Sequence, residues 1–203
     1  MGFWKKNSYS VVRLFVIQIG IAIFGLVLSF AVSAAFRNRN EDAALLMVSL
    51  FSVLFYLFLL YSVAWEIGGK ERIRVDAVHG KFCGGKGFLL SLLAEIPNLV
   101  FILLMLIGGI AFYTGATTAG ARIFGVGYLP ENFLHSMYIG ILKNLQNATG
   151  LVQDESPAYY LVAALFFLAS TLPAILVTGF GYWMGVNEKR IIPAKRADPN
   201  QKN

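Results

Sequence analysis

The sequence predicts an all-α integral membrane protein, a bundle of four transmembrane helices. Hydrophobic residues make up 57% of the 203-residue chain and charged residues only 14%, whereas ordinary soluble domains carry about 25% charged residues. The apolar residues gather in long uncharged runs. The basic residues favour alternate segments between those runs.

The runs can be taken in order. Residues 14–36 and 43–65 each give 23 positions without a charged group, and a bilayer core needs about 20 helical residues. The third span is placed at 88–113, of which 96–113 is uncharged. The fourth run, 158–186, has 29 residues. The four spans form one polytopic domain over 1–203. The first run exceeds the roughly 7–15 residues of a signal h-region and is read as a retained span. One cysteine, Cys83, excludes an internal disulfide.

Charge placement predicts orientation. Three basic residues precede the first span, five lie in the loop 66–87 and five in the tail 187–203. The loop between the first two spans holds only Arg37 and Arg39, and the segment 114–157 only Arg122 and Lys143. Thirteen basic residues on one side against four on the other place both termini and the loop 66–87 in the cytoplasm of a cell-membrane protein. The net charge of +6 is accounted for by topology and gives little reason to expect nucleic acid binding.

Within the first span, Gly25, Ser29 and Ser33 recur every fourth residue, a spacing that lets helix backbones approach closely in lipid. Ser49, Ser52 and Tyr56 share a face of the second span and are read the same way. Tyr61, Trp65, Tyr182 and Trp183 fit an aromatic belt at the inner interface. The fourth run must tilt, protrude or bend, and Pro173 is the expected kink. Gly179, Gly181 and Gly185 give it a flexible or closely packed inner end.

The stretch S-L-L-A-E-I-P-N-L-V, residues 91–100, places a carboxylate, a proline and an amide inside an apolar region. Ser91, Glu95 and Asn98 fall at i, i+4 and i+7. One continuous helix would align them on one face within the membrane, as candidates for substrate or proton binding. The preferred reading is an elbow. Residues 86–94 then form a short helix on the cytoplasmic surface, Pro97 opens the true span and Glu95 stays wet beside its N-terminus.

The loop 66–87 alternates charges with single apolar residues, which allows a short β-hairpin around 78–81. Lys70, Arg72, Arg74, Lys81 and Lys86 are candidate contacts for anionic lipid headgroups. Gly80 to Lys86 fits G-x-x-x-x-G-K, but Gly87 stands where a phosphate loop needs Ser or Thr. His79 and Cys83 lack further ligands for zinc, and His135 is assigned to the other side of the membrane. In the external segment 114–157, residues 114–127 read as irregular loop. Residues 133–145 read as an amphipathic helix on the outer leaflet or capping the bundle.

No catalytic set assembles, so neither enzyme activity nor a cofactor or metal is expected. The leading expectation is an accessory subunit or partner in a plasma-membrane assembly, because the spans carry small-residue stripes and few charges and no catalytic set assembles. The alternative is a small oligomeric transporter or channel using Glu95 and the Pro173 kink. The expected partners are the bilayer, anionic lipids at the cytoplasmic face, and a membrane protein or a second copy of this chain. With Cys83 replaced, cysteines at Arg72 or Lys81 should react with impermeant thiol reagents only from the cytoplasm, and a cysteine at Asn147 only from outside. External labelling at position 72 overturns this topology.

Overall fold

The computed structural model describes residues 3–36, 40–78, 83–150 and 157–188, and all regular structure among them is helical. The elements are α1 (Phe3–Phe36), α2 (Glu41–Val78), α3 (Lys86–Ala94), α4 (Ile96–Tyr113), α5 (Thr117–Leu134), a 3₁₀ turn (Ser136–Tyr138), α6 (Ile139–Thr149) and α7 (Pro157–Val186). Four stretches, Asn7–Phe36, Glu41–Ala77, Ile96–Tyr113 and Ala158–Val186, are long and apolar enough to cross a membrane. Large apolar side chains such as Phe30, Phe51, Leu54, Leu103 and Leu176 face outward along them. This is the surface of a membrane-embedded protein, because lipid imposes no penalty on an exposed apolar side chain.

The segment after α4 departs from the sequence reading. Residues 117–134 are expected as loop at their start, yet they form a helix that packs back along α4. Gly115, at φ +102, makes the reversal, a conformation L side chains rarely adopt. Gly108 lies against the Phe124 backbone, Gly120 against the Phe112 backbone, and Gly127 against Phe101 and Met105. A β-carbon at any of the three would sit well inside van der Waals contact. Glycine lowers helix propensity in water by about 1 kcal/mol, but here it permits backbone-to-backbone packing.

A single helix over 133–145 does not form either. α5 stops at Leu134, the 3₁₀ turn follows, and α6 runs along α2. Asn144 donates to the Asp42 carbonyl at 2.9 Å, and Gly140 lies against Leu45 and Ser49. The physical reason is polarity. His135 and Ser136 find partners inside the bundle, whereas Phe133 and Leu145 face out.

At the other end of the molecule, α2 continues to Val78, so residues 66–78 are helical and not part of a hairpin. Their charges pair at helical spacing: Lys70 with Glu66 at 2.6 Å, Arg72 with Asp76 at 2.7 Å, and Arg74 with Glu71. Such pairs support a helix by about 0.2–0.5 kcal/mol each. Residues 79–82, with His79 and Lys81, lie outside the described residues. Tyr182, expected in an interfacial belt, is fully buried. It packs on Gly87, and its backbone lies against Gly68. Gly181 and Gly185 press on the Tyr61 and Trp65 carbonyls, so this end of α7 is closely packed.

Gly120→Val should disrupt the α4–α5 contact and cost about 1–3 kcal/mol or more, lowering the thermal midpoint in detergent. Gly125→Ala, where nothing lies within 4 Å of the new carbon, should leave it unchanged or raise it.

Candidate functional site

The fold of residues 117–149 brings a second set of polar side chains to the Glu95 region. Glu95 is the single residue between α3 and α4, with nearly helical backbone (φ −81, ψ −4). Its N–H donates to the Ser91 carbonyl at 2.9 Å, and the Leu99 N–H donates to its own carbonyl at 2.9 Å. Pro97 sits in the first turn of α4, where a missing N–H costs little. The helical hydrogen bonding therefore nearly continues, and Ser91, Glu95 and Asn98 share one buried face. Glu95 is 3% exposed and Asn98 0%, so the expectation of a wet interfacial carboxylate is not what the structure gives. Asn98 Nδ2 donates to Glu95 Oε2.

From the last turn of α5 come Glu131, 0% exposed, and His135, 2% exposed. Glu131 Oε1 and His135 Nδ1 are 2.8 Å apart, at i,i+4 spacing. They stand at ion-pair distance, but neither atom has a hydrogen-bond partner among the described residues. His135, assigned from the sequence to the external side, thus stands inside the bundle. Glu95 is close enough to interact electrostatically with both Glu131 and His135. Tyr56 from α2 and Tyr138 from the 3₁₀ turn border Glu95 in the same way. The His135 ring lies 5.7 Å from the Tyr138 ring and 5.8 Å from that of Phe167.

Backbone and hydroxyl contacts fix the turn that carries this group. Ser136 Oγ donates to the Ala22 carbonyl, and Tyr138 Oη donates to the Ser170 carbonyl at 3.2 Å. The Gly140 N–H donates to Ser49 Oγ at 2.7 Å. A β-carbon on Gly25 would lie 2.8 Å from the Met137 α-carbon. Ala22, Gly25, Ser49 and Ser170 all stand well inside the apolar runs of their helices. Gly25 therefore serves a close approach, but its partner is the turn and not another span. Ser29 is buried and Ser33 donates to Glu41 at 3.0 Å.

Three acceptors in the group have no hydrogen-bond donor among the described residues, Asn98 Oδ1 and both Glu131 carboxylate oxygens. Buried acceptors without donors are costly, and protonating a neighbouring carboxyl supplies one. Among the described residues no three His, Cys, Asp or Glu lie together as a metal-binding group. Glu95, Glu131 and His135 thus gather three ionisable side chains inside the helical bundle.

Glu131, Tyr138 and the placement of His135 were not found from the sequence. A signal was present. Between Arg122 and Lys143, Glu131 and His135 are the only acidic or imidazole side chains in twenty largely apolar positions, four apart. Pro173 lies within the continuous helix α7, three residues beyond Ser170, whose carbonyl Tyr138 uses. Of the lipid-contact candidates, Lys70, Arg72, Arg74 and Lys86 all form ion pairs at the end of the molecule away from the α4–α5 turn. Comparison with known protein families, curated proteins and solved structures finds no match for this chain.

His135→Leu should leave Glu131 buried without its partner, a loss of about 3–5 kcal/mol, whereas Leu at both positions should recover most of it. Thermal unfolding of His135→Leu, Glu131→Leu and the double variant in detergent measures the coupling. A loss in the double variant equal to the sum of the two single losses would show that the contact carries no energy.

Proposed function

We propose that this chain is a small multi-pass transporter or channel of the cell membrane that moves protons, alone or with a solute. Its working group is Glu95, Asn98, Glu131 and His135. The observation that carries this reading is the burial of two carboxylates and an imidazole within a bundle of membrane-spanning helices. Ionisable groups in such places are costly to keep and mark ion pathways and proton relays. In this reading both termini and the loop 66–87 are cytoplasmic, following the basic residues. α5, the 3₁₀ turn and α6 then form a re-entrant element that dips from the outside and returns. Irregular backbone at membrane depth is tolerated where protein satisfies it, as Ala22, Ser49 and Ser170 do here.

The proton logic follows from desolvation. Two bare carboxylates facing one another in a water-poor interior are unfavourable, and the imidazole offsets one of them. Uptake of a proton by Glu95 or Glu131 removes the remaining imbalance and gives the free acceptors a donor. Tyr56 and Tyr138 border the group from α2 and the turn. α7 brings Phe167 and the Ser170 carbonyl, which do not titrate. The accessory role expected from the sequence rested on small-residue stripes, few charges within the spans and the absence of a catalytic set. The buried group weakens the second of these grounds, and the accessory role stands as the alternative outcome of the test.

Purified protein in liposomes should dissipate an imposed pH gradient, followed with an entrapped pH-sensitive dye. Glu95→Gln should reduce that flux at least tenfold while the thermal midpoint stays near the native value, and Glu131→Gln should reduce it as strongly with a lowered midpoint, because His135 loses its carboxylate partner. Native protein without flux, at matched density and across several driving gradients, overturns the transport reading and favours the accessory one.

A further inference from the structure

A second polar feature lies at the basic end of the bundle, apart from the group around Glu95. A cavity of about 260 Å³ opens between α1, α2 and the start of α3. Its walls include Ser10, Arg13, Lys70, Glu71, Arg74 and Lys86. Water occupies about 30 Å³ per molecule in the liquid, so the space admits a tetrahedral oxyanion together with several waters.

The charges around it do not balance. Glu66 accepts from Arg13 at 2.8 Å and from Lys70 at 2.6 Å. Glu71 pairs with Lys86 at 2.7 Å and with Arg74. Among the described residues four cations thus share two carboxylates, a surplus of two positive charges. Lys86, only 9% exposed, is matched by Glu71, so the surplus falls on the more exposed Arg13, Lys70 and Arg74, where an anion can reach it. The guanidinium forks of Arg13 and Arg74 match the paired oxygens of a phosphate, and the lysines add point charges.

Position selects the source of that phosphate. Arg13 immediately precedes the apolar run 14–36, and Glu66 immediately follows the run 43–65. A cavity at this level of a membrane-embedded chain faces the headgroup layer. We propose that it is a binding site for the phosphate of an anionic lipid headgroup, with Arg13, Lys70, Arg74 and Lys86 as its ligands. Arg13 extends the set that the loop 66–87 alone provides, and it joins α1 to α2 through the site. The proposal is independent of proton transport.

The test uses the full chain in a neutral detergent, with thermal unfolding as the readout. Dioctanoyl phosphatidic acid should raise the midpoint by about 3 °C or more at saturation. Dioctanoyl phosphatidylcholine and inorganic phosphate at the same concentration should not. Arg13→Gln with Arg74→Gln should abolish the shift, and Lys70→Gln, an exposed and mild change, should at least halve it. Lys143→Gln, at the opposite end beside Glu41 and Asp42, should keep it. An equal shift with inorganic phosphate would assign the site to a soluble anion and overturn the lipid source. No shift with phosphatidic acid, or a shift unchanged in Lys70→Gln and the double variant, overturns the site itself.

Discussion

The backbone contact between α4 and α5 is the constraint on which the interior depends. Gly108, Gly120 and Gly127 leave no room for a β-carbon, so the two helices meet at main-chain distance along the length of α5. That approach holds α5 antiparallel to α4 and against the bundle. Phe124 then stacks into an aromatic set with Tyr128, Tyr159 and Tyr160, with ring centroids 4.8–6.3 Å apart. Without that contact nothing in the sequence would favour bringing Glu131 and His135 beside Glu95. The polar group is a consequence of apolar packing, and the stabilisation must come from that packing, because burying the charges costs energy.

A helix that ends inside a bundle leaves carbonyls and N–H groups to satisfy, and residues 135–140 show how the chain does so. Ser136 uses a carbonyl of α1, Tyr138 a carbonyl of α7, and the Gly140 N–H a hydroxyl of α2. The turn is tied to three helices from three different parts of the chain. Each tie is modest, about 1 kcal/mol or less in membrane proteins. Together they fix the end of α5, and so the direction from which Glu131 and His135 face the group. Asn144, Lys143 and Asn147 close the far end of α6 onto Glu41 and Asp42.

The four long helices were legible because lipid-spanning runs are a one-dimensional signal: length without charge suffices. The one-face alignment of Ser91, Glu95 and Asn98 could also be read from spacing alone. The segment 114–150 was illegible for a physical reason. Gly and Thr are turn formers when water competes for the backbone, so Gly120, Gly125 and Gly127 suggested loop. Where main chains pack closely, the same residues are interface. The polar side of residues 133–145 was turned toward water by the same habit, although His135 and Asn144 have their partners inside. Likewise, the alternating charged and apolar residues 72–77 suggested a strand, while ion pairs three and four apart support a helix there.

Two charged regions now divide the molecule by depth, and they obey opposite rules. At the basic end, eight charged side chains pair, and all but Lys86 and Glu71 are open or half-buried, where water and salt screen them and each pair contributes little. Their collective property is a surplus of positive charge, useful for attracting an anion. Around Glu95 the surplus is negative and nearly fully buried, so it cannot be screened and must be compensated by hydrogen bonds and protons. Tyr56, Tyr138 and Asn98 supply a polar lining, but no basic residue except His135 reaches the group among the described residues. An imidazole is the one basic side chain whose charge changes near neutral conditions in water. A permanent cation in its place would neutralise a carboxylate and lock the group. Under the proposed function, an imidazole at position 135 in place of a permanent cation is what suits a proton relay.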